Sequence, residues 1–522
     1  MMRAGTCAAA AGLLSAGARR ALAARAPARA LTLRAELPYT SIVKVFTSRS
    51  SPHYLAPWQN KPPADTGGSA FAIRDLDGVK RLLTNAHIVA DSTRIMVRRH
   101  GAADKYPARC ISIGHEPDLA LLDVADAAFW EGVEPLEFGP VPQLRDVVTA
   151  VGFPGGLDNI SVTVGVVSRV DTVQYIHAAA NLLAIQIDAG INGGNSGGPA
   201  FDVSGRVAGV AFQNVPDAQN VAYIVPEPIV RHFLNDFRAH GRYVGFCKLG
   251  VRLQTLENVA LRAHLGLAPG QTGVVINAVL PVSAAAGVLL VNDVLLAIDG
   301  VPIANDASIE WRGNERIFLD YLVTSKAVGE PIALSVLRDR APLQLSVTAA
   351  TQAPLVPVHQ YGELPEYLVY AGLVFSPLVQ PMLHDWGSID WYNTAPRRLV
   401  ERALHGSLDK KGQQVIVLCQ VLHDEANAGY ESFTGLTVER ANGVKPDNLA
   451  HLARLIHECT DEFVILTLDD ARIIALRTST AAQATARVQA QHRIARASNL
   501  RSEGGDGLAP AGELARGEVH AA

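Results

Sequence analysis

Short apolar runs separated by glycine, proline and aspartate dominate the first half of the chain. Between about residues 39 and 225 they include SIVKVFT, GSAFAI, RIMVRR, VTAVGF, LAIQID and VAYIVP, and many are rich in β-branched residues. Strands of this length with turn residues between them are typical of a β-barrel or a β-sandwich. In EPIVRHFLNDFRAHG the apolar residues instead recur with a helical period, up to Gly241. We therefore predict a β domain that ends in one helix.

Two further units follow this β domain. Residues 245–350 contain TGVVINAVLPVSAAAGVLLVNDVLLAIDGVPIAN, which predicts a strand, a small-residue helix, a second strand and a tight turn. The proline-rich stretch TQAPLVPVHQ connects this unit to a third one over residues 364–480. In the third unit LTVERANGVKPDN repeats the arrangement of VLLAIDGVPIAN. The sequence therefore suggests two copies of one module.

The two ends of the chain differ in composition from its middle. Residues 1–38 carry six arginines and many alanines, and their first acidic residue is Glu36. This composition predicts an organelle transit peptide, and the scarcity of serine favours a mitochondrion over a chloroplast. A disordered leader without a targeting role is the alternative. Residues 481–522, rich in Ala, Arg and Gly, predict a frayed helix that continues into a flexible tail.

Composition and charge narrow the class of protein. A chain of 522 residues with 48% hydrophobic and 18% charged residues is typical of several globular domains. A net charge of −4 gives no indication of nucleic-acid binding. The apolar runs are shorter than the roughly 20 residues that span a bilayer, so we predict a soluble protein without an integral membrane span.

Cysteine spacing and missing motifs exclude several chemistries. The five cysteines lie far apart without a C-x-x-C pair, which argues against a zinc ribbon and a disulfide scaffold and fits a reducing compartment. The chain has neither a G-x-x-x-x-G-K-[ST] phosphate loop nor an H-E-x-x-H zinc motif. We therefore predict no ATP hydrolysis, no metal and no organic cofactor.

One stretch, INGGNSGGPAFD at residues 191–202, surrounds Ser196 with two glycine pairs. Such a cluster indicates backbone conformations that a Cβ would forbid, or a close approach to the backbone. Two explanations are open on this stretch alone. It is either a tight turn between strands or a nucleophilic serine beside an oxyanion hole of backbone N–H groups.

A nucleophilic serine needs a base, and the base needs a group that holds its tautomer. In LLTNAHIVAD, His87 directly follows an apolar strand, and in HEPDLALLDV, Asp118 stands at the entry to another. Burial there would aim the carboxylate at an imidazole. His115, just before Asp118, lacks the strand-end setting, so we predict a loop histidine without a catalytic role.

Three motifs, TNAHIV, DLALL and GNSGGP, occur in this order and resemble the Deg/HtrA family of serine proteases within the chymotrypsin-like class. GSAFAI, VGFPGG and NVAYIVP are also similar to that family. GVVINAV and DVLLAIDG in the second unit resemble its PDZ domains. PLVPVHQ, WYNTAPRRL and GYE resemble the plant and algal branch, which carries a second, degenerate PDZ-like domain. The resemblance covers about residues 39–480.

The resemblance implies a mainly β protein. A chymotrypsin-like double β-barrel protease domain over residues 39–242 is followed by two α+β PDZ-like domains, over residues 245–350 and 364–480. The family pattern makes Ser196 the nucleophile, His87 the general base and Asp118 its orienting partner. It also makes the N–H groups of Gly194 and Ser196 the oxyanion donors, with Asn195 as the residue between them.

The family also implies positions for specificity and regulation. The pocket for the side chain before the scissile bond is bordered by apolar residues, which favours small or medium aliphatic side chains; these are Ile191, Val210, Ala211 and Phe212. VGFPGG is expected to be an activation loop that orders when substrate binds. The PDZ carboxylate-binding loop falls on Phe246, Leu249, Gly250 and Val251, although Cys247 and Lys248 depart from the usual spacing. No such loop is identifiable in the third unit, so a structural or subunit-contact role is expected there.

Together these features predict an ATP-independent serine endopeptidase that degrades unfolded or damaged proteins in an organelle. Peptide C-termini are expected to bind to the PDZ unit. The alternative is an inactive or latent chaperone scaffold whose triad is held out of its active arrangement. By resemblance we expect a trimer or a multiple of trimers, with the segment SIVKVFTSRSSPHYLAPW as a candidate contact.

Overall fold

The computed structural model describes residues 37–155, 158–175, 177, 180–191, 193–214, 221–360, 362–387 and 390–501. Nearly all of the predicted transit peptide, the last glycine of VGFPGG and the end of the predicted tail lie outside these residues. Within the described ranges, every helix is too short or too polar to cross a membrane.

A closed six-stranded barrel opens the described part of the chain. All its strand pairs are antiparallel, in the order β1-β2-β3-β6-β5-β4. Its elements are β1 (Ile42–Arg49), β2 (Ala64–Arg74), β3 (Lys80–Thr84), α1 (Ala86–Val89), β4 (Ser92–Arg99), β5 (Tyr106–Gly114) and β6 (Leu119–Asp123). Alternate residues such as Val43 and Val45 of β1 fill its interior, because successive side chains of a strand point to opposite faces.

A second closed barrel follows, in the order β10-β11-β12-β9-β8-β7. Its elements are β7 (Val147–Gly152), β8 (Ser161–Tyr175), β9 (Ala180–Ile187), β10 (Pro199–Phe201), β11 (Val207–Asn214), β12 (Ala222–Pro226) and the helix α2 (Glu227–His240). The helix buries Ile229 and Phe233, and Gly241 ends it in a left-handed conformation with φ 69°. The two barrels confirm the expected double-barrel fold.

The second unit is built on a sheet in the order β13-β14-β15-β19-β20, with a separate β17-β18 hairpin. Its elements are β13 (Val251–Thr255), α3 (Val259–Leu265), β14 (Val274–Val279), β15 (Val294–Ile298), β16 (Val301–Pro302), β17 (Ser308–Arg312), β18 (Glu315–Phe318), α4 (Asp320–Thr324), β19 (Pro331–Arg338) and β20 (Ala341–Thr348). The small-residue helix expected between β14 and β15 is absent from these described residues, where turns replace it. Gly287, at φ 77°, interrupts the segment before a helix can extend.

The third unit is a seven-stranded antiparallel sheet, in the order β26-β25-β24-β23-β22-β21-β27, with helices packed on it. Its elements are β21 (Tyr367–Tyr370), β22 (Leu373–Pro377), α5 (Gln380–Leu383), α6 (Trp391–Thr394), α7 (Arg397–His405), β23 (Ile416–Val421), β24 (Leu436–Ala441), α8 (Leu449–His457), β25 (Phe463–Leu468), β26 (Ile473–Arg477), α9 (Thr478–His492) and β27 (Ser498–Asn499). Both units therefore combine sheet and helix, as expected of PDZ-like domains.

The start of the predicted flexible tail differs from expectation. Helix α9 crosses the predicted boundary at residue 481 and buries Ala481, Ala484 and Val488 along one face. After it, Ser498 of β27 pairs with Leu368 of β21, at the edge of the sheet. Composition alone does not predict that this helix is packed, because its buried face consists mostly of alanines, which are also common in low-complexity tails.

The segment proposed as an oligomer contact, SIVKVFTSRSSPHYLAPW, packs against the third unit of the same chain. Tyr54 is buried in an apolar cluster formed mostly by residues of the third unit. Trp58 meets Tyr367 edge-on, with ring centroids 6.1 Å apart. Lys61, shortly after it, forms an ion pair with Asp385 at 2.5 Å. These aromatic side chains therefore hold the third unit against the first barrel, which removes the sequence argument for using them between copies.

The second unit is also attached to the first barrel, through the carboxylate of Glu116. It accepts hydrogen bonds from the Tyr243 hydroxyl at 2.7 Å and from the Phe246 N–H at 3.2 Å. The Phe246 ring stacks on His232 of α2, with centroids 4.3 Å apart. The turn that precedes β6 is thus joined to the first residues of the PDZ unit.

Candidate active site

The pairing of β3 with β6 brings His87 and Asp118 together. Thr84 of β3 lies opposite Ala120 of β6, so the turn after β3 meets the turn before β6. His87 Nδ1 lies 2.7 Å from one carboxylate oxygen of Asp118, and the His87 N–H donates to the other at 2.9 Å. Asn85 adds a bond from its side-chain amide to the Asp118 carbonyl at 2.7 Å. These hydrogen bonds fix the orientation of the imidazole, and Nε2 is the ring nitrogen that is not bonded to Asp118.

Burial and charge act in opposite directions on this pair. Burial alone lowers the pKa of His87, but the negative charge of Asp118 and its hydrogen bond outweigh burial and raise that pKa. Burial likewise raises the pKa of Asp118, but the imidazoles of His87 and His177 outweigh it and lower that pKa. The pair therefore favours an ionised carboxylate that stabilises a protonated imidazole.

Ser196 lies in the loop between β9 and β10, beside the first barrel. Its carbonyl accepts a hydrogen bond from the N–H of Ser69 at 2.9 Å. Its hydroxyl faces the Phe212 carbonyl at 3.5 Å, and within the described residues no hydrogen bond joins it to His87. A serine nucleophile and its general base are expected to lie within hydrogen-bonding reach of each other. Catalytic hydrogen bonds are often long in a protein without substrate and tighten when substrate binds.

The backbone around Ser196 leaves two amides available. Among the described residues, the N–H groups of Gly194 and Ser196 have no hydrogen-bond acceptor. Gly194 has a φ of 99°, and a Cβ there would collide with main-chain atoms of Phe153 and Gly155, so only glycine fits. The buried side chain of Asn195 also has no partner within the described ranges.

The four predicted pocket residues are all buried: Ile191, Val210, Ala211 and Phe212. Ala211 is hydrogen-bonded to the loop on both sides, since its carbonyl accepts from Gly197 at 2.8 Å and its N–H donates to Gly198 at 2.9 Å. The Phe212 ring packs on Tyr175, with centroids 4.4 Å apart. The neighbourhood of the serine is therefore apolar.

The predicted carboxylate-binding loop leads into β13, which has a strand neighbour on one side only among the described residues. Gly250 has a φ of 77°, and its carbonyl accepts a hydrogen bond from Leu280 at 2.9 Å. Phe246 and Leu249 are buried, so they contribute to the core. Lys248, which departs from the family spacing, donates its N–H to the Ala350 carbonyl at 3.0 Å.

Three histidines cluster behind the His87–Asp118 pair, and sequence analysis missed two of them. His115 is buried, its Nδ1 lies 2.8 Å from Nε2 of His177, and its ring stacks on His359 with centroids 3.9 Å apart. His359 belongs to the connection before the third unit. No local motif marks His177, and His359 lies in PLVPVHQ, which indicated a connection and a family resemblance but no contact with His115. Long-range folding brings the three histidines together. Within the described residues, no His, Cys, Asp and Glu side chains form a group that could hold a metal.

This cluster predicts a loss of stability in acid. Burial and the neighbouring His177 lower the pKa of His359 from 6.5 to about 3. Between pH 6.5 and about pH 3, the unfolded chain binds a proton at this imidazole and the folded chain does not. The free energy of unfolding therefore decreases as the pH is lowered through this range. The slope is about 1.4 kcal/mol per pH unit for one such imidazole.

The prediction is tested by comparing His359→Gln with His240→Gln at an exposed position. The midpoint of thermal unfolding, measured from pH 7 to pH 4, should fall less steeply in His359→Gln than in the wild type. The His240→Gln control should follow the wild type. Identical slopes in all three proteins would contradict a neutral buried His359.

Comparison with domain models agrees with this architecture. Residues 68–210 match a trypsin-like peptidase domain. Residues 247–349 and 356–501 each match a PDZ domain. Fold and site together therefore define a trypsin-like serine peptidase that carries two PDZ domains.

Similar proteins identify the family. Among solved structures, the HtrA-type protease AlgW with a decapeptide matches at 24% identity and a TM-score of 0.47, over 60% of this chain and 97% of that one. Protease Do-like 4, mitochondrial, of Arabidopsis thaliana is 43% identical over 454 residues, which are 87% of this chain and 84% of that protein. Protease Do-like 2, chloroplastic, of the same plant is 39% identical over 438 residues, which are 84% of this chain and 71% of that protein. On the strength of these two relatives, the chain belongs to the Do-like, or Deg/HtrA, family of serine proteases, which confirms the resemblance seen in its motifs.

Proposed function

We propose that this serine protease cleaves unfolded or damaged proteins in an organelle without ATP, with Ser196, His87 and Asp118 as its catalytic triad. The observation that carries the proposal is the hydrogen bond from His87 Nδ1 to Asp118. It leaves Nε2 as the nitrogen that can accept a proton, which is the tautomer a serine protease requires.

In the first half of the reaction, Ser196 Oγ attacks the carbonyl carbon of the scissile peptide and its proton moves to His87 Nε2. The negative charge that develops on the substrate oxygen is stabilised by the N–H groups of Gly194 and Ser196. Asp118 stabilises the imidazolium that forms. His87 then gives its proton to the departing amine as the C–N bond breaks, which leaves an acyl group on Ser196.

In the second half, water replaces the amine. His87 removes a proton from the water as its oxygen attacks the acyl carbon, and the same two amides stabilise the second oxyanion. The imidazolium returns the proton to Ser196 Oγ as the ester bond breaks. A carboxylic acid and the free enzyme result, so no cofactor enters the cycle.

Casein degradation tests the proposed activity. The full chain should degrade casein without ATP, and diisopropyl fluorophosphate should abolish the degradation by modifying Ser196. Mass spectrometry of the inhibited protein should place the modification on that serine. Modification at another serine, with loss of activity, would contradict the assignment.

A latent resting state is the second candidate, favoured by one observation. The Ser196 hydroxyl faces the Phe212 carbonyl instead of His87 among the described residues. In that case the PDZ grooves bind peptides while the triad stays in an inactive arrangement until the enzyme is activated. Absence of casein degradation until a C-terminal peptide is added would support latency, whereas constant activity without peptide would exclude it.

The proposed substrate preference follows from the residues around the serine. Ile191, Val210 and Phe212 are apolar and buried, and none of them supplies a charge for a basic side chain. We expect cleavage after small or medium aliphatic residues, by about tenfold or more over Lys and Arg. A proteome-derived peptide library, digested and sequenced, measures this preference. Cleavage mainly after Lys or Arg would contradict it.

Location, partners and assembly are also part of the proposal. The Arabidopsis relatives are named as mitochondrial and chloroplastic, which supports an organelle, and the arginine-rich leader favours the mitochondrion. Peptide C-termini are proposed to add to the open edge of β13. A trimer, or a multiple of trimers, is proposed by family resemblance, and a mass measurement in solution tests it.

A further inference from the structure

The peptide group between Gly193 and Gly194 carries the first proposed oxyanion donor. The Gly193 carbonyl accepts a hydrogen bond from the Gly155 N–H at 2.6 Å. A trans peptide is planar, so its carbonyl and its N–H point in opposite directions. Holding the carbonyl toward Gly155 therefore fixes the direction in which the Gly194 N–H points.

The peptide group between Asn195 and Ser196 carries the second donor, and it is fixed in the same way. The Asn195 carbonyl accepts a hydrogen bond from the Gly198 N–H at 3.0 Å. The direction of the Ser196 N–H follows from that bond. Both donors thus depend on hydrogen bonds made by the opposite side of their own peptide groups.

Ser69 of β2 forms hydrogen bonds with two further carbonyls of this loop. Its Oγ donates to the Gly194 carbonyl at 2.7 Å, and its N–H donates to the Ser196 carbonyl at 2.9 Å. The same Oγ accepts the Phe153 N–H at 2.8 Å. Ser69 is fully buried, so both hydrogen bonds of its hydroxyl are shielded from water.

Through its hydrogen bond with the Phe153 N–H, Ser69 also helps to position the Gly194 N–H, the first proposed donor. Phe153 lies two residues before Gly155, whose N–H sets the direction of the Gly194 N–H. The side-chain amide of Asn195, which is buried in the loop, does not stabilise the loop by hydrogen bonding, because it has no partner within the described residues. The Ser69 hydroxyl is therefore the side-chain group that joins the two segments forming this part of the site.

We propose that Ser69 is a positioning residue for peptide hydrolysis, whose hydroxyl keeps the two oxyanion donors aimed at one point. This inference rests on the proposed function, in which Gly194 and Ser196 are those donors. Ser69 acts through the loop and does not itself contact substrate. Removing its hydroxyl should weaken binding of the transition state and leave binding of the substrate nearly unchanged.

Kinetics of the full-length Ser69→Ala variant test the proposal. Its kcat for an internally quenched peptide with valine before the scissile bond should fall about tenfold to a hundredfold, with KM changed by less than about threefold. Labelling of Ser196 by a fluorophosphonate should slow to a similar extent. The matched control is Ser112→Ala, because Ser112 is buried in the same barrel and its hydroxyl has no partner among the described residues. Equal kcat and equal labelling in the two variants would overturn the proposal.

Amide hydrogen exchange over residues 190–201 gives a measurement that does not depend on catalysis. Exchange should be faster in Ser69→Ala than in the wild type or Ser112→Ala. If the fluorophosphonate fails to label even the wild type, the proposed function falls, and equal exchange in all three proteins then overturns the role of Ser69. If Ser69→Ala does not fold, Ser69→Cys replaces it, since a thiol of similar size forms weaker hydrogen bonds. Wild-type kcat and exchange in that variant would equally overturn the proposal.

Discussion

Replacing Ser196 with alanine is expected to lower kcat for peptide hydrolysis by about 10⁶-fold, the scale seen when a triad nucleophile is removed. The effect is large because no other group at this position can form the acyl intermediate. The remaining rate would come from binding and from the oxyanion donors, whose positions the alanine leaves unchanged. Continuous cleavage of an internally quenched peptide measures the loss.

The matched control is Ser168→Ala. Ser168 is an exposed serine on β8, in the same barrel. It should retain the wild-type rate and the wild-type thermal midpoint. A Ser196→Ala protein that cleaved within about tenfold of the wild type would show that another residue is the nucleophile, provided the preparation contains no other protease.

Replacing Asp118 with asparagine is expected to lower kcat by about 10⁴-fold, because an amide does not hold the imidazole in the productive tautomer. Asparagine is the informative choice here. Asp118 has a φ of 53°, a left-handed conformation that asparagine adopts more readily than alanine. The loss should therefore report the changed electrostatics more than a strained turn.

The pH dependence of kcat/KM gives the second signature of this variant. His87 must be neutral to accept the serine proton, and Asp118 raises the pKa of His87 above its ordinary value of 6.5. In the wild type, kcat/KM should therefore rise with pH to a half-maximal point above 6.5. In Asp118→Asn that point should move to lower pH, because the raising charge is gone. Asp77→Asn, in an exposed turn, should leave it unchanged, and an unmoved point in Asp118→Asn would contradict the pairing.

Much of the fold was predictable from local patterns. Short β-branched runs and the turn residues between them indicate most of the strands between β1 and β12 without any knowledge of how they pair; β5 and β10 match none of the quoted runs. The choice between barrel and sandwich needed the family resemblance, because closure depends on contacts between strands far apart in sequence. The helix predicted at the start of the tail forms, but composition does not show that it is packed, since Ala481 and Ala484 are buried by contacts with the rest of the third unit.

Some residues of the candidate site were also predictable from local patterns, and others were not. His87 and Asp118 stand next to strands whose apolar character is visible in sequence, so their context selected them from the available histidines and aspartates. His177 carries no such context, and the motif that contains His359, PLVPVHQ, was noted only as a proline-rich connection and for its resemblance; folding places both histidines beside His115. Ser69 lies in GSAFAI, which indicated a strand and a family resemblance, and nothing local indicates that its hydroxyl joins Phe153 to Gly194. The catalytic roles remain predictions for the variants above to test.

The contacts of Glu116 bear on where this protein can be cut into working pieces. A fragment ending at residue 242, the sequence-based limit of the protease domain, would lack both Tyr243 and Phe246, whose hydrogen bonds satisfy that carboxylate. It would also uncover the His232 ring, on which Phe246 stacks. Because Glu116 shares a turn with Asp118, the damage would lie next to the proposed catalytic residues. A minimal protease should therefore extend at least through Phe246, past residue 242, at which sequence alone would place the boundary.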